Sequence, residues 1–268
     1  MTPRAAAVCL AIAMGAPSAA LAKDPAPPPG LPACPSGAEK PDVAALVKRT
    51  QQLMDGSSSV STMAMEIQTP QWSRKLKVKV WSKGRDYALV SILEGGPREV
   101  GMMTLKREKQ LWNYLPQAGR VMKLPSGMMG DSWLGSDLTN DDLVKGSSLT
   151  DDFTSEVKGV TPAGGKPAWQ VLLTPKPDAV VVWGKIEMVI DRASCVPLAE
   201  HFFDEQGHLA RTLEFGEVKK VGWREFPSTV TVVPAEAGRK TVLHYDEISF
   251  DIDVPDDTFS LHRLQRGK

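Results

Sequence analysis

Apolar and polar positions alternate with period two over most of this chain. Met63, Met65 and Ile67 share one side of an extended segment, and Leu76, Val78 and Val80 alternate with Lys75, Lys77 and Lys79. Side chains on a strand point to opposite faces in turn, so such runs predict strands with one buried face. The same pattern continues through Tyr87–Leu93, Val100–Lys106, Gln110–Leu115 and Arg120–Leu124. It resumes at Trp169–Leu173, Ile186–Ile190, Leu198–Phe203, Leu209–Val221, Val230–Val233 and Leu243–Ile252. Gly, Pro, Asn and Asp punctuate the runs, as turns require. Helical spacing precedes the strands. Val43, Leu46, Val47, Leu53 and Met54 recur at intervals of three and four after Pro41, and Gly56 stops the run.

About a dozen sequential strands with short turns predict a mainly β fold with a few short helices. The expected architecture is a single curved antiparallel sheet forming an incomplete, half-open β-barrel. Residues 125–150 break the alternation. Thr139-Asn-Asp-Asp142 has the form of a capping box opening a helical turn that ends at Gly146, and Ser132-Trp-Leu134 fits another single turn. Short helices inserted in the middle of a curved sheet are expected on its concave face, as a helical lid. Met102, Met103, Met128 and Met129 place adaptable thioethers beside that interior, which suits apolar partners of varying shape.

The N-terminus changes the picture of where the chain works. Arg4, the alanine-rich stretch Ala5–Ala16 and Ala20-Leu-Ala22 fit a cleaved signal peptide, residues 1–22. That expectation places a soluble protein in the periplasm. Residues 23–41 are rich in Pro, Ala and Gly and predict a disordered arm. Residues 42–268 then form one domain, large enough to bury a core. Cys34 and Cys195 remain after Cys9 departs with the signal, and in an oxidising compartment they are disulfide candidates. Leu31-Pro-Ala-Cys34 loosely imitates a lipoprotein-processing site, but Lys23, Asp24 and a proline run separate it from the apolar stretch.

Charge and motifs exclude several function classes. Thirty-two basic and 32 acidic residues cancel, without the basic face that nucleic-acid binding needs. His201, His208, His244 and His262 are dispersed and make no zinc-like spacing, so no metal or cofactor is expected. The pairs Asp141/Asp142, Asp151/Asp152 and Asp256/Asp257 sit where acids cap helices and turns. Gly130-Asp-Ser-Trp133 superficially resembles an esterase nucleophile block. The general base is missing, because Phe259 stands three residues before His262 where that family has Asp. No catalytic residue is expected.

With the residues laid out, a resemblance emerges. Leu111-Trp112-x-Tyr114-x-Pro116 resembles a strand and proline of the LolA-like periplasmic carriers that sort lipoproteins to the outer membrane. Leu173-Thr-Pro-Lys176 and Pro255-Asp-Asp-x-Phe259 are similar to further stretches of that family. Lys83-Gly-Arg85-Asp-Tyr87 sits where the carriers have a basic residue on an early strand. The block Ser132 to Asp142 resembles a longer, divergent branch of the superfamily.

The resemblance implies a half-barrel enclosing a hydrophobic cavity for acyl chains, with Arg85 as the latch that helps hold the lid shut. The expected cavity residues are Tyr87, Met102, Trp112, Tyr114 and Met188. Met128, Met129, Trp133 and Leu134 are the expected apolar face of the lid. Expected partners are an acylated lipoprotein or lipid cargo, an inner-membrane transporter and an outer-membrane acceptor. Two alternatives stay open: an adaptor subunit of an envelope export system with a filled barrel, and a lipid esterase using Ser132.

Overall fold

The computed structural model describes residues 27, 29–37, 39–144, 149–179 and 181–266. The signal segment 1–22 and Gly146 lie outside these residues. Thirteen strands form one antiparallel sheet: β1 Ser58–Gln68, β2 Ser73–Lys83, β3 Tyr87–Glu94, β4 Met103–Arg107, β5 Gln110–Leu115, β6 Arg120–Lys123, β7 Phe153–Ala163, β8 Lys166–Pro175, β9 Lys185–Asp191, β10 Pro197–Phe203, β11 Leu209–Val221, β12 Arg224–Pro234 and β13 Lys240–Phe250. Their spatial order is β6-β5-β4-β3-β2-β1-β13-β12-β11-β10-β9-β8-β7, so the sheet does not close on itself. The two halves are up-and-down meanders joined where β1 pairs with β13, from Ser59 opposite Phe250 to Gln68 opposite Lys240. Only the connection from β6 to β7 leaves the neighbour-to-neighbour path. It runs from one edge of the sheet to the other.

Local chemistry explains the strand ends. Gly164 and Gly165, both at positive φ (56° and 77°), link β7 to β8. A two-residue hairpin turn whose twist matches its strands needs that left-handed backbone twice, and glycine supplies it without steric cost. The edge strand β7 shows no apolar periodicity strong enough to be anticipated. Its outer residues Thr154, Glu156, Lys158 and Val160 face water, as an unpaired edge tolerates.

Register decides which side chains share a face. Met65 pairs with Leu76 of β2 and with Leu243 of β13, and Leu243 pairs with Val230. From there the inner face continues through Val232, Leu213, Glu200, Met188 and Val171. Two covers lie on this face. The first is helix α1, Val43–Met54, whose N-cap Asp42 accepts hydrogen bonds from the backbone of Ala44 and Ala45, both at 3.1 Å. It buries Leu46, Val47 and Leu53 against Phe153, Trp169, Val171, Leu173, Ile186, Met188 and Ile190. Burial of each such side chain contributes about 1.5–3 kcal/mol, so α1 is a permanent part of the core.

The second cover is the β6–β7 connection. It carries short 3-10 turns at Ser126–Met128 and Trp133–Gly135, then helices α2, Asn140–Val144, and α3, Leu149–Asp152. The capping box is formed: Asp142 accepts from the Thr139 amide (2.8 Å) and hydroxyl (2.9 Å), while the Asp142 amide donates back to Thr139 Oγ1 at 3.1 Å. On the opposite, outer face, helix α4, Leu261–Arg266, packs Leu264 with Val254, Phe259, Leu89, Met103 and Leu105.

Among the described residues, the proline arm is not a free tail. Cys34 and Cys195 are bridged, with their Sγ atoms 2.07 Å apart, across 161 residues of sequence. Leu31, Pro32 and Cys34 are half-buried. A segment poor in large apolar side chains is tied down covalently at Cys34, and that tie sits where Thr50 of α1 donates to the Cys195 carbonyl at 3.0 Å.

Candidate functional site

Between the lid and the first half of the sheet lies an apolar chamber of about 200 Å³. Its floor is the inner face of β1–β3: Met63, Met65, Val78, Val80, Ala88 and Val90. Leu243 and Tyr245 of β13 close one side, and Thr104, Lys106 and Leu111 close the other. Trp133, Leu138 and Leu143 form the roof. These positions are inner because the strand period is two, so Ala88 and Val90 point in while Tyr87 and Leu89 point out.

The roof is anchored by polar contacts at its margins. Trp133, only 6% exposed, donates its indole N–H to Thr104 Oγ1 at 3.2 Å, and Thr104 donates to Asn113 Oδ1 at 2.8 Å. Three arginines from the sheet rim hold the lid chain. Arg74 of β2 donates to the Leu134 carbonyl and to Glu99 at 2.6 Å. Arg211 of β11 meets both oxygens of Asp142, at 2.6 and 2.8 Å, and its guanidinium stacks 4.8 Å from the ring centres of Trp183 and Phe202. Arg239 donates to Asp137 at 3.0 Å, and Thr241 donates to the same carboxylate at 2.7 Å. Paired donors on a carboxylate are strong and directional, so the clamps on Asp142 and Asp137 fix orientation as well as proximity. Burial raises the Asp142 pKa, but the Arg211 pair and the Thr139 donors outweigh it and hold the carboxyl below its usual range.

Beyond Lys106 the chamber continues into a polar vestibule of about 380 Å³ lined by Asp55, Ser59, Ser82, Arg85, Tyr87 and Lys106. Ala88, Lys106 and Leu143 border both spaces. A wider cleft then leads outward between α1 and α3, past Lys48, Gln51, Asp55 and Arg85. Desolvation by the surrounding protein pushes the Asp55 carboxyl up, against the pull of Arg85, Arg224 and Lys106, although the side chain itself is 56% exposed and the rise is correspondingly screened. Burial likewise pushes the Lys106 ammonium down, and Asp86 opposes it. Deeper on the inner face, burial raises Glu200 to about 7 and Tyr245 to about 12.

The residues expected to line the cavity are divided by this geometry. Trp112 and Tyr114 lie on the outer face with Val121 and Leu261, because β5 turns Leu111 inward instead. A strand offset of one residue exchanges the two faces, and this strand carries apolar residues on both. Tyr87 packs at a tilt against Phe259 on the outer side, 5.8 Å between ring centres, and borders the vestibule, not the chamber. Met188 is fully buried under α1 in the second half of the sheet. Met102 packs against the cluster that forms the chamber wall.

Of the expected lid residues, Trp133 and Leu134 face the sheet, whereas Met128 is 44% exposed and points to water. Met129 is half-buried. Arg85 does not reach the lid clamps. It sits on the β2–β3 turn beside the end of α1, and its ion pair is with Asp55 at 3.8 Å. Arg74 and Arg211 on strands, and Arg239 just before β13, carry no local mark in the sequence. Asp142 was legible only as a cap. Ser132 donates to the Ser136 carbonyl at 2.5 Å, while His201, His208 and His244 bond Thr212, Asp204 and Thr229.

Comparison with known proteins agrees with this architecture. The chain superposes on a DUF1329 family protein from Desulfovibrio piger with a TM-score of 0.74 and 20% identity, covering 82% of this chain and 97% of that one. A protein domain from Vibrio parahaemolyticus described for outer membrane lipoprotein sorting gives 0.70 and 20%, covering 84% and 98%. A LolA superfamily protein from Nitrosomonas europaea gives 0.69 and 19%, covering 83% and 100%. No curated protein matches the chain. A family model described as that of an uncharacterized protein matches residues 84–266. The chain therefore belongs to that family, and its fold is the LolA-like fold of an unclosed sheet covered by short helices.

Proposed function

We propose that this protein is a periplasmic carrier, not an enzyme, that shields acyl chains of lipoproteins or lipids on their way from the inner towards the outer membrane. The observation that carries this reading is an apolar chamber roofed by Trp133, Leu138 and Leu143, with polar clamps at the edge of its roof. An apolar cavity of about 150 Å³ accommodates a benzene-sized guest, so the closed chamber suits roughly eight carbons. Longer chains require the lid to rise.

Magnitudes support reversible loading. Eight methylenes beyond those the closed chamber holds gain about 6 kcal/mol at ~0.8 kcal/mol each, and raising the lid to admit them exposes the three roof side chains at about 1.5–3 kcal/mol apiece. The two terms are of one size, so the guest exchanges places with the roof instead of being trapped. A filled-barrel adaptor has no use for such a chamber. Transfer would begin at an inner-membrane transporter and end at an outer-membrane acceptor.

Native mass spectrometry of protein purified from a periplasmic extract without detergent tests the reading. A lipid or acylated peptide retained by the wild type, and lost when Val78→Trp fills the chamber, is the expected result. Apo protein in every preparation, together with failure to take up added acyl chains, rules the carrier out.

A further inference from the structure

Lys106 is the one feature of the chamber that a container for hydrocarbon does not need. It lies on the inner face of β4, opposite Ala88 and Leu111, at 7% exposure. Among the described residues its ammonium has no hydrogen-bond acceptor and no carboxylate within ion-pair distance. Asp86 and Asp55 are the acids close enough to attract it, and Arg85 repels it. The Lys106 stem is buried and its ammonium reaches the vestibule, and partly withdrawing an ammonium from water without pairing it has a desolvation cost. A methionine or leucine there would complete the apolar wall at no such cost.

Position gives the charge a use. Lys106 stands at the boundary between chamber and vestibule, with hydrocarbon-lined space on one side. On the other side are Ser59, Ser82 and Arg85. Arg85 brings a second cation to the same vestibule, paired with Asp55 at 3.8 Å. The layout has a dry end and, next to it, an ammonium without a hydrogen-bond partner among the described residues and a guanidinium paired with Asp55.

Resting on the carrier reading above, we propose that the ligand is a single-chain amphiphile with an anionic head, its chain in the apolar chamber and its carboxylate or phosphate paired with Lys106. The head takes the place of the missing counter-ion, and Arg85 meets its outer oxygens after yielding Asp55. Ser59 and Ser82, already bonded to each other at 2.7 Å, flank the path. This arrangement selects for charge at the head and tolerates variation in the chain. A neutral ester or alcohol would leave Lys106 unpaired.

Isothermal titration of the full mature chain with ten-carbon probes separates these possibilities. Decanoate and decyl phosphate should bind roughly ten- to a hundredfold more tightly than decanol, the range that charged hydrogen bonds provide. Their ratio shows whether carboxylate or phosphate is the preferred head. Lys106→Met should abolish the preference while leaving decanol binding equal or stronger, and Lys106→Arg should retain it. Acetate and inorganic phosphate alone should not bind measurably. Equal affinity for decanoate and decanol, or an unchanged preference in Lys106→Met, overturns the anionic-head assignment and leaves the carrier reading standing. Binding of the small anions without chain dependence also overturns it. Failure of every ten-carbon probe to bind removes both readings. The wild-type comparison of decanoate with decanol decides the matter even if a variant does not fold.

Discussion

Arg211 meets both carboxylate oxygens of Asp142, at 2.6 and 2.8 Å, and thereby ties strand β11 to lid helix α2. The pair crosses from the half of the sheet under α1 to the lid over the other half. Both side chains are mostly buried, so water does little to replace the contact. Replacing Arg211 with Met should weaken lid closure by about 1.5–3 kcal/mol. Amide exchange over residues 133–144 should accelerate accordingly while the β1–β2 amides keep their protection. Unchanged exchange in the lid would show that the clamp is not what closes it.

The same pair sets an acid limit. The Asp142 carboxyl is depressed in the folded state, so its contribution is present above the ordinary carboxylate value of about 4 and fades as pH falls through the depressed folded value. Asp142→Asn should therefore be less stable than wild type at pH 6, with the gap closing on strong acidification. A gap independent of pH in denaturant titrations would remove the carboxylate from the account.

Glu200 behaves in the opposite sense. Its folded value is raised to about 7, first by burial on the inner face, with Asp55 adding to the rise and Arg211 opposing it. A raised acid favours the folded state most below its unfolded value, and that advantage is lost as pH climbs through about 7. Glu200→Gln should accordingly stabilise the protein at pH 8, by at most about 3 kcal/mol, and change little at pH 4. Urea midpoints at the two pH values measure this; equal shifts at both would show that Glu200 does not titrate in this range.

Trp133 joins roof to wall. Trp133→Phe keeps most of the apolar area but removes the indole donor to Thr104, which retains its bond to Asn113, so a loss of about 1 kcal/mol is expected. Trp133→Ala should cost about 3–5 kcal/mol and enlarge the chamber. Uptake of a fluorescent fatty acid should be faster in the alanine variant. A variant as stable as wild type would place Trp133 outside the closed roof.

Cys34 and Cys195 close a loop of 161 residues. Serine at both positions should lower stability by about 2–4 kcal/mol, chiefly by freeing the unfolded chain. Thermal melts of the double variant, and of wild type under strong reductant, should agree. A melting temperature that is the same with and without the bridge would show that the arm contributes nothing.

Much of the fold was legible because the signal was local. The alternation at Met63-Met65-Ile67 and Leu76-Val78-Val80 names an inner face directly, and all but one of these strands' neighbours followed suit. Strand β7 was missed since Thr154, Glu156 and Lys158 at a sheet edge need no apolar partner. The capping box of Thr139 and Asp142 was readable from four residues. The site was harder. Trp112 and Tyr114 sit on a strand apolar on both sides, so which side faces the chamber is set by pairing with β4 and by α4 covering the other face. Lys106 and the three rim arginines owe their roles to residues far away in sequence, and no spacing rule could mark them.

The β6–β7 connection has a mechanical consequence. It fastens to both free margins of the open sheet and is itself built of single turns, at Ser126–Met128, Trp133–Gly135 and Asn140–Val144. Unwinding one turn lengthens this strap without breaking a rung between strands. For the carrier proposed above, this means that a bulky guest would be accommodated by the strap, while the ribbon of paired strands keeps its form.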